Sequence, residues 1–124
     1  MRRPRNNKYN AKKTLGSASR KEYYRLHELQ ILLRAGEISD LRCQVPFELI
    51  PEQRERPTIG PRGGVRPGKL LERPVKYVAD FVYVKDGQKV VEDVKGYRGG
   101  QAYALFVIKR KLMLERYGIR IREV

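Results

Sequence analysis

The chain has 124 residues, 40% of them hydrophobic, which is enough for one domain with a modest core and little room for a second. No apolar run approaches the roughly eighteen residues of a membrane span, and the start, Met1-Arg2-Arg3-Pro4-Arg5, lacks the apolar stretch of a secretory leader, so an intracellular protein is expected. Twenty-eight Lys and Arg against fourteen Asp and Glu leave a net charge of +14, more than solubility requires, and nucleic acid leads among the polyanions that such a charge attracts.

Cys43 is the single cysteine, which excludes an intrachain disulfide and argues against zinc; we expect it buried as a small apolar residue. With three Phe, eight Tyr and no Trp, the core is expected to be Val, Leu and Ile with Tyr at its edges.

Residues 1–18 read as a flexible basic arm, and the first twenty residues hold seven Lys or Arg and no acid. The domain proper is expected over 19–124. Ser19 has the character of a helix cap with Glu22 at capping-box spacing, and the helix should run to about Arg34, stopped by Gly36. Its predicted inner stripe is Leu26, Leu29 and Leu33, and Glu22 lies on that stripe one turn earlier. Capping alone would account for Glu22; so would a role in chemistry. His27, on another face, is given no role.

A strand is expected over 41–50, with Pro46 marking an edge or a bulge. Residues 51–74 read as a long Pro/Gly-rich basic loop, either a DNA-contacting flap or simply disordered. Two β-rich runs follow, 74–84 and 88–95, joined at Asp86-Gly87, the strongest short-range hairpin cue. A helix is predicted over 101–117 with Leu105, Ile108 and Leu112 inward, ended by Gly118, and a final strand over 119–124. The order is that of an α/β domain with a mixed sheet, a central Asp-Gly hairpin and flanking helices.

A turn centred on Asp86-Gly87 sets Val82 opposite Val91, Phe81 opposite Glu92 and Asp80 opposite Asp93. Side chains alternate with period two, so Asp80, Asp93 and Lys95 fall on one face, with the two carboxylates about 5 Å apart at Cβ. Opposed carboxylates repel, and partial burial worsens it; a divalent cation, Mg²⁺ or Mn²⁺, removes the conflict. A solvated face on which Lys95 neutralises both acids is the competing account. Glu92 should point the other way, solvated or ion-paired.

The spacing of Asp80, twelve residues, then Asp93-Val94-Lys95 resembles the PD-(D/E)XK nuclease superfamily, in which an upstream helix often adds a Glu, here Glu22. More closely, the chain resembles a family of small phage-encoded proteins of that superfamily. The shared phrases are Lys8 to Lys12, Ser19 to Glu22, Leu33 to Leu41, Tyr77 to Val82, Val91 to Gly96 and Tyr117 to Ile119. Two departures stand out: Ala79 precedes the first acid where the superfamily name has Pro, and Asp93 stands where many members have Glu.

The resemblance implies a restriction-endonuclease-like core and a metal-dependent DNA endonuclease, structure-selective in the manner of Holliday-junction resolvases and so active in DNA recombination as a homodimer. Asp80, Asp93, the Val94 carbonyl and Glu22 would hold Mg²⁺, with Mn²⁺ able to substitute, and Lys95 would serve the attacking water. Arg20, Lys21, Arg62, Arg66, Tyr97, Gln101 and Lys109 are the candidate DNA contacts. Two other classes share the charge: a non-catalytic nucleic-acid-binding protein retaining the fold, and an assembly protein whose surface is merely soluble.

Overall fold

The computed structural model describes residues 17–124, so most of the basic arm expected at 1–18 lies outside the described residues. The described chain falls into two compact units, one made of residues 17–45 with Ala79–Val124, the other of Pro46–Val78. The elements run α1 (Ser17–Arg34), β1 (Ser39–Ile50), β2 (Gln53–Arg54), β3 (Thr58–Ile59), β4 (Val65–Arg66), β5 (Leu70–Glu72), β6 (Val75–Lys85), β7 (Gln88–Asp93), α2 (Gly100–Tyr117) and β8 (Arg122–Glu123). Among the described residues no helix is long and apolar enough to cross a membrane.

The fold is α/β with a mixed sheet in the order β1-β6-β7-β8. β6 and β7 are antiparallel and joined by Asp86 and Gly87, whose φ angles of 51° and 75° are both left-handed. Asp tolerates that backbone better than most residues and Gly without penalty, which is why this pair makes the two-residue turn. Lys85 then pairs Gln88, Val82 pairs Val91 and Phe81 pairs Glu92. After β7 the chain crosses through α2 and returns as β8, parallel to β7. β1 ends the sheet order, an edge position at which a proline such as Pro46 is tolerated.

Alternation gives β6 and β7 two different faces. Phe81, Tyr83 and Val94 form a buried cluster with Leu29 and Ile38, against which Leu26 and Leu32 of α1 pack. On the other face Val82 and Val91 are buried, and the Lys95 ammonium lies 3.4 Å above the Phe106 ring of α2. One helix thus covers each face of the hairpin.

Several expectations are corrected. Helix α1 is already formed at Ser17, so Ser19 stands inside the first turn and not at the cap. Leu32, not Leu33, completes the inner stripe, and Leu33 is 39% exposed. In α2 the buried residues are Phe106 and Met113, while Leu105 and Ile108 are 54% and 56% exposed, about one position out of phase with the predicted stripe. The aromatics decide this phase: Phe106 buries more surface than either aliphatic neighbour could. For the same reason Tyr77 and Tyr83 are core residues and not its rim. Cys43 is exposed on β1. Segment 51–74 contains four short strands in two antiparallel ladders, β2 with β5 and β3 with β4. The last strand is only Arg122–Glu123.

Of the two alternatives for Glu92, solvated or ion-paired, the structure shows the ion pair. The residue is fully buried, and both carboxylate oxygens are engaged by Arg25 Nε and Nη2 at 2.8 and 2.7 Å, with the Tyr83 hydroxyl donating a further short hydrogen bond. Burial pushes the Glu92 carboxyl up, but the hydrogen bonds from Arg25 and Tyr83 and the charges of Arg25 and Arg122 outweigh it, leaving the group below the usual carboxylate range. Replacing Arg25 by Met would strand that carboxylate in the core. We expect the variant to lose about 3 kcal/mol of unfolding free energy in urea denaturation; a loss under about 1 kcal/mol would mean the pair is not the anchor its geometry implies.

Candidate functional site

The site grows from the end of the β6–β7 pair. The ladder ends at the pair Phe81 with Glu92. Beyond it the Asp80 carboxylate takes over the role of a ladder carbonyl, its Oδ2 accepting the Val94 N–H at 2.8 Å. Asp93, 6% exposed, closes β7 and meets the Lys95 ammonium at 2.5 Å. β8 holds this stretch from the far side: Val124 N–H donates to the Asp93 carbonyl at 3.0 Å and Lys95 N–H to the Val124 carbonyl at 2.9 Å. Backbone and side chains of residues 93–95 are therefore fixed independently of each other.

Glu22 reaches the same place from α1. Its Oε1 accepts a hydrogen bond of 2.7 Å from Gln44 Nε2, and that same nitrogen lies 3.3 Å from Asp80 Oδ1. One amide group spans two carboxylates. Lys21, next to Glu22, donates from Nζ to the Lys95 carbonyl at 2.8 Å, tying α1 to the residue after Val94.

The electrostatics are those of crowded acids. Partial burial raises the Glu22 carboxyl above its ordinary range, and the charges of Asp80 and Asp93 raise it further, while the Gln44 hydrogen bond opposes them. Burial likewise raises Asp80; the Val94 N–H and Gln44 work against the rise, and Asp93 adds to it. Three acids and one Lys leave a local charge of about −2 inside a chain of +14. Among the described residues, no group of three His, Cys, Asp or Glu is gathered tightly enough to hold an ion as it stands.

This chain belongs to the family described as "Protein of unknown function (DUF1064)", whose model matches residues 6–122. Neither a curated protein nor a solved structure matches it. Membership spans both compact units and every residue of the acidic cluster.

The remaining candidates are more scattered. Arg20 is exposed on α1, and Tyr97, at 85% exposure, follows Lys95 by two residues. A Cβ on Gly99 would stand 2.3 Å from the Tyr97 hydroxyl, so the glycine is what lets that ring lie over the backbone entering α2. Gln101 is exposed in the first turn of α2 and Lys109 is half-buried further along it. Arg62 and Arg66 belong to the other unit, both exposed.

Sequence reasoning missed Gln44 altogether. An uncharged residue in an edge strand carries no signal, yet its φ of 53° is one that residues other than glycine rarely adopt. Strain of that kind persists where surroundings impose it, often at functional positions. It also missed Phe106 beneath Lys95, which only the phase of α2 reveals. Cys43, beside Gln44, has its thiol pushed up by desolvation and by the Glu22 charge.

Substituting Gln44 separates strain from contact. Gly and Ala both lose the amide, but only Gly accepts the left-handed backbone freely. Gln44→Gly should therefore be more stable than Gln44→Ala by about 1 kcal/mol in thermal unfolding. Equal stabilities would show that the backbone there carries no strain.

Proposed function

We propose that this protein is a metal-dependent DNA endonuclease with a restriction-endonuclease-like core, hydrolysing phosphodiester bonds at the Glu22, Asp80, Asp93 and Lys95 cluster. The observation that carries the reading is the convergence of three mutually repelling carboxylates beside one ammonium, in a chain whose overall charge is strongly positive.

The donor set suits magnesium, with manganese able to substitute. Mg²⁺ is usually bound through one or two carboxylates, with waters and substrate phosphate completing the shell, so Asp80 and Asp93 with the Val94 carbonyl suffice. Glu22 would hold a water of that shell or a second ion. When bound, the ion supplies Lewis acidity toward a water and the scissile phosphate. The chain's own part is positional. Asp93 and the Phe106 ring fix the Lys95 ammonium between a negative charge and a π face. From there it orients the attacking water and offsets charge developing on the phosphorus oxygens. Lys21 and Arg20 on α1, Tyr97 and Gln101 before and in α2, and Lys109 beyond are the proposed strand contacts, with Arg62 and Arg66 from the other unit.

By the same resemblance, branched DNA such as a four-way junction is the proposed substrate, as in recombination, and a phage-infected host cell the proposed setting. A homodimer follows from the need to cut two strands, and the exposed Leu105 and Ile108 of α2 supply an apolar face for it. The second reading, a binding protein that keeps the fold without cutting, rests on the charge alone.

Linear, nicked, flapped and four-way DNA offered with Mg²⁺ test the proposal. Cleavage of at least one is expected, reduced about a hundredfold or more in Asp93→Ala and in Lys95→Met. Mn²⁺ binding by calorimetry should disappear in Asp80→Asn. Equal cutting by the variants would remove this site, and no cutting by wild type with tighter DNA binding by Asp80→Asn would favour the second reading. Light scattering should give twice the chain mass for wild type and the chain mass for Leu105→Glu/Ile108→Glu; a monomeric wild type would sink the dimer.

A further inference from the structure

The segment between Arg56 and Leu71 contains Arg56, Arg62, Arg66 and Lys69 and no acid. Within it β3 and β4 form a small antiparallel ribbon, Thr58 opposite Arg66 and Ile59 opposite Val65. The ladder continues into Gly60 N–H donating to the Gly64 carbonyl at 2.7 Å, and Gly63 N–H donates back to the Gly60 carbonyl at 3.0 Å. Gly63 has a φ of 81°, so Pro61-Arg62-Gly63 is a three-residue turn closed by a left-handed glycine. Proline at its first position stiffens it, and glycine at its last accepts the left-handed backbone without penalty.

Its surface chemistry is unusual for a solvated hairpin. Of the five residues from Gly60 to Gly64, only Pro61 and Arg62 carry side chains, so the tip is slender. The Arg66 side chain folds toward that tip: a Cβ on Gly60 would stand 3.0 Å from its Nε. Alternation puts Thr58 and Arg66 on one face and the Ile59–Val65 pair on the other. Those two are 78% and 73% exposed. A cross-strand β-branched pair normally contributes by being covered, and this one is in water.

We infer that the β3–β4 ribbon enters the minor groove of duplex DNA, Arg62 leading, with Ile59 and Val65 wedged against a base step so that the duplex bends. The choice of DNA rests on the nuclease reading above; the groove and the wedge rest on the ribbon. A second copy of a chain of +14 would be repelled by an acid-free segment, whereas phosphates line both lips of the groove. Minor-groove proteins combine arginine in the narrow groove with apolar wedges between base steps, and the groove, about 6 Å wide, demands a slender tip. A-form RNA has a wide, shallow minor groove that such an arm would not fill. For a cutting enzyme, the bend would present distorted duplex, the feature that sets branched DNA apart.

The full-length protein is tested in chelator, so that no strand is cut, on a duplex carrying an energy-transfer pair at its ends. Wild type should shorten the end-to-end distance. Ile59→Ser/Val65→Ser should abolish the shortening and bind about tenfold more weakly with an unchanged salt dependence, because no phosphate contact is lost. Arg62→Ala should instead lower the slope of log affinity against log salt by about one. Both substituted apolar side chains are exposed, and an unaltered far-ultraviolet spectrum would exclude misfolding. A double variant that bends and binds as wild type does, or an RNA duplex that competes equally, overturns the inference while leaving the nuclease reading in place if wild type still cuts. Wild type that binds no duplex likewise overturns the inference, and the nuclease reading then stands or falls on whether wild type cuts four-way DNA with Mg²⁺.

Discussion

The register of β6 against β7 is the constraint on which everything else hangs. Side chains alternate, so a slip of one residue exchanges the two faces of the pair. On one face Glu92 meets Arg25 and Tyr83 in the interior; on the other Asp93 meets Lys95 at the site. Both residues are acids, and hydrophobic pattern alone would distinguish them poorly. The buried network distinguishes them sharply, because only the longer Glu92 side chain is held by both guanidinium nitrogens of Arg25. A buried ion pair adds little net stability, yet a wrong register would leave Arg25 facing a different neighbour in the core. The turn proposes the register and the ion pair enforces it.

Enforcement matters because the site has almost no slack. Asp80 spends one oxygen on the Val94 N–H and shares the other with Gln44, and Asp93 is tied through its carboxylate to Lys95 and through its carbonyl to β8. Each group is held by at least two elements far apart in sequence: α1, β1, β6, β7 and β8 all contribute. Such a site is positioned by regular structure, with Gln44, on the irregular edge strand, as the exception. Its amide stands between Glu22 and Asp80, the position where a positive charge would relieve their repulsion most.

What the sequence disclosed follows the strength of local signals. Asp86-Gly87 dictates a turn type, the turn dictates pairing, and pairing dictates that Asp80, Asp93 and Lys95 share a face; no tertiary information enters that chain of reasoning. Helix phases were less legible. For α2 the choice lay between a stripe through Leu105 and Ile108 and one through Phe106 and Met113, and aliphatic periodicity pointed to the wrong one because ring size outweighs it. Segment 51–74 was opaque since strands of two or three residues have no measurable periodicity. Glu92 could be assigned its face but not its burial, because its partner Arg25 lies on a helix sixty-seven residues away. Gln44 could not be found at all, since a backbone angle leaves no mark on residue type unless glycine supplies it.

The proposed function, against the reading of mere attachment, rests on the balance of charges at the site. A protein that only holds a phosphate backbone gains from every cation and loses from every anion near it. Here three carboxylates stand together, two of them driven above their ordinary range, Glu22 by burial and the charges of Asp80 and Asp93, and Asp80 by burial and the charge of Asp93. That arrangement weakens polyanion binding and destabilises the free protein at the same spot. Lys95 offsets only part of it, being already paired with Asp93. Under the proposed function, a divalent ion would relieve the repulsion of three acids kept partly out of water, in a chain with twice as many cations as anions, and would supply Lewis acidity toward a phosphate.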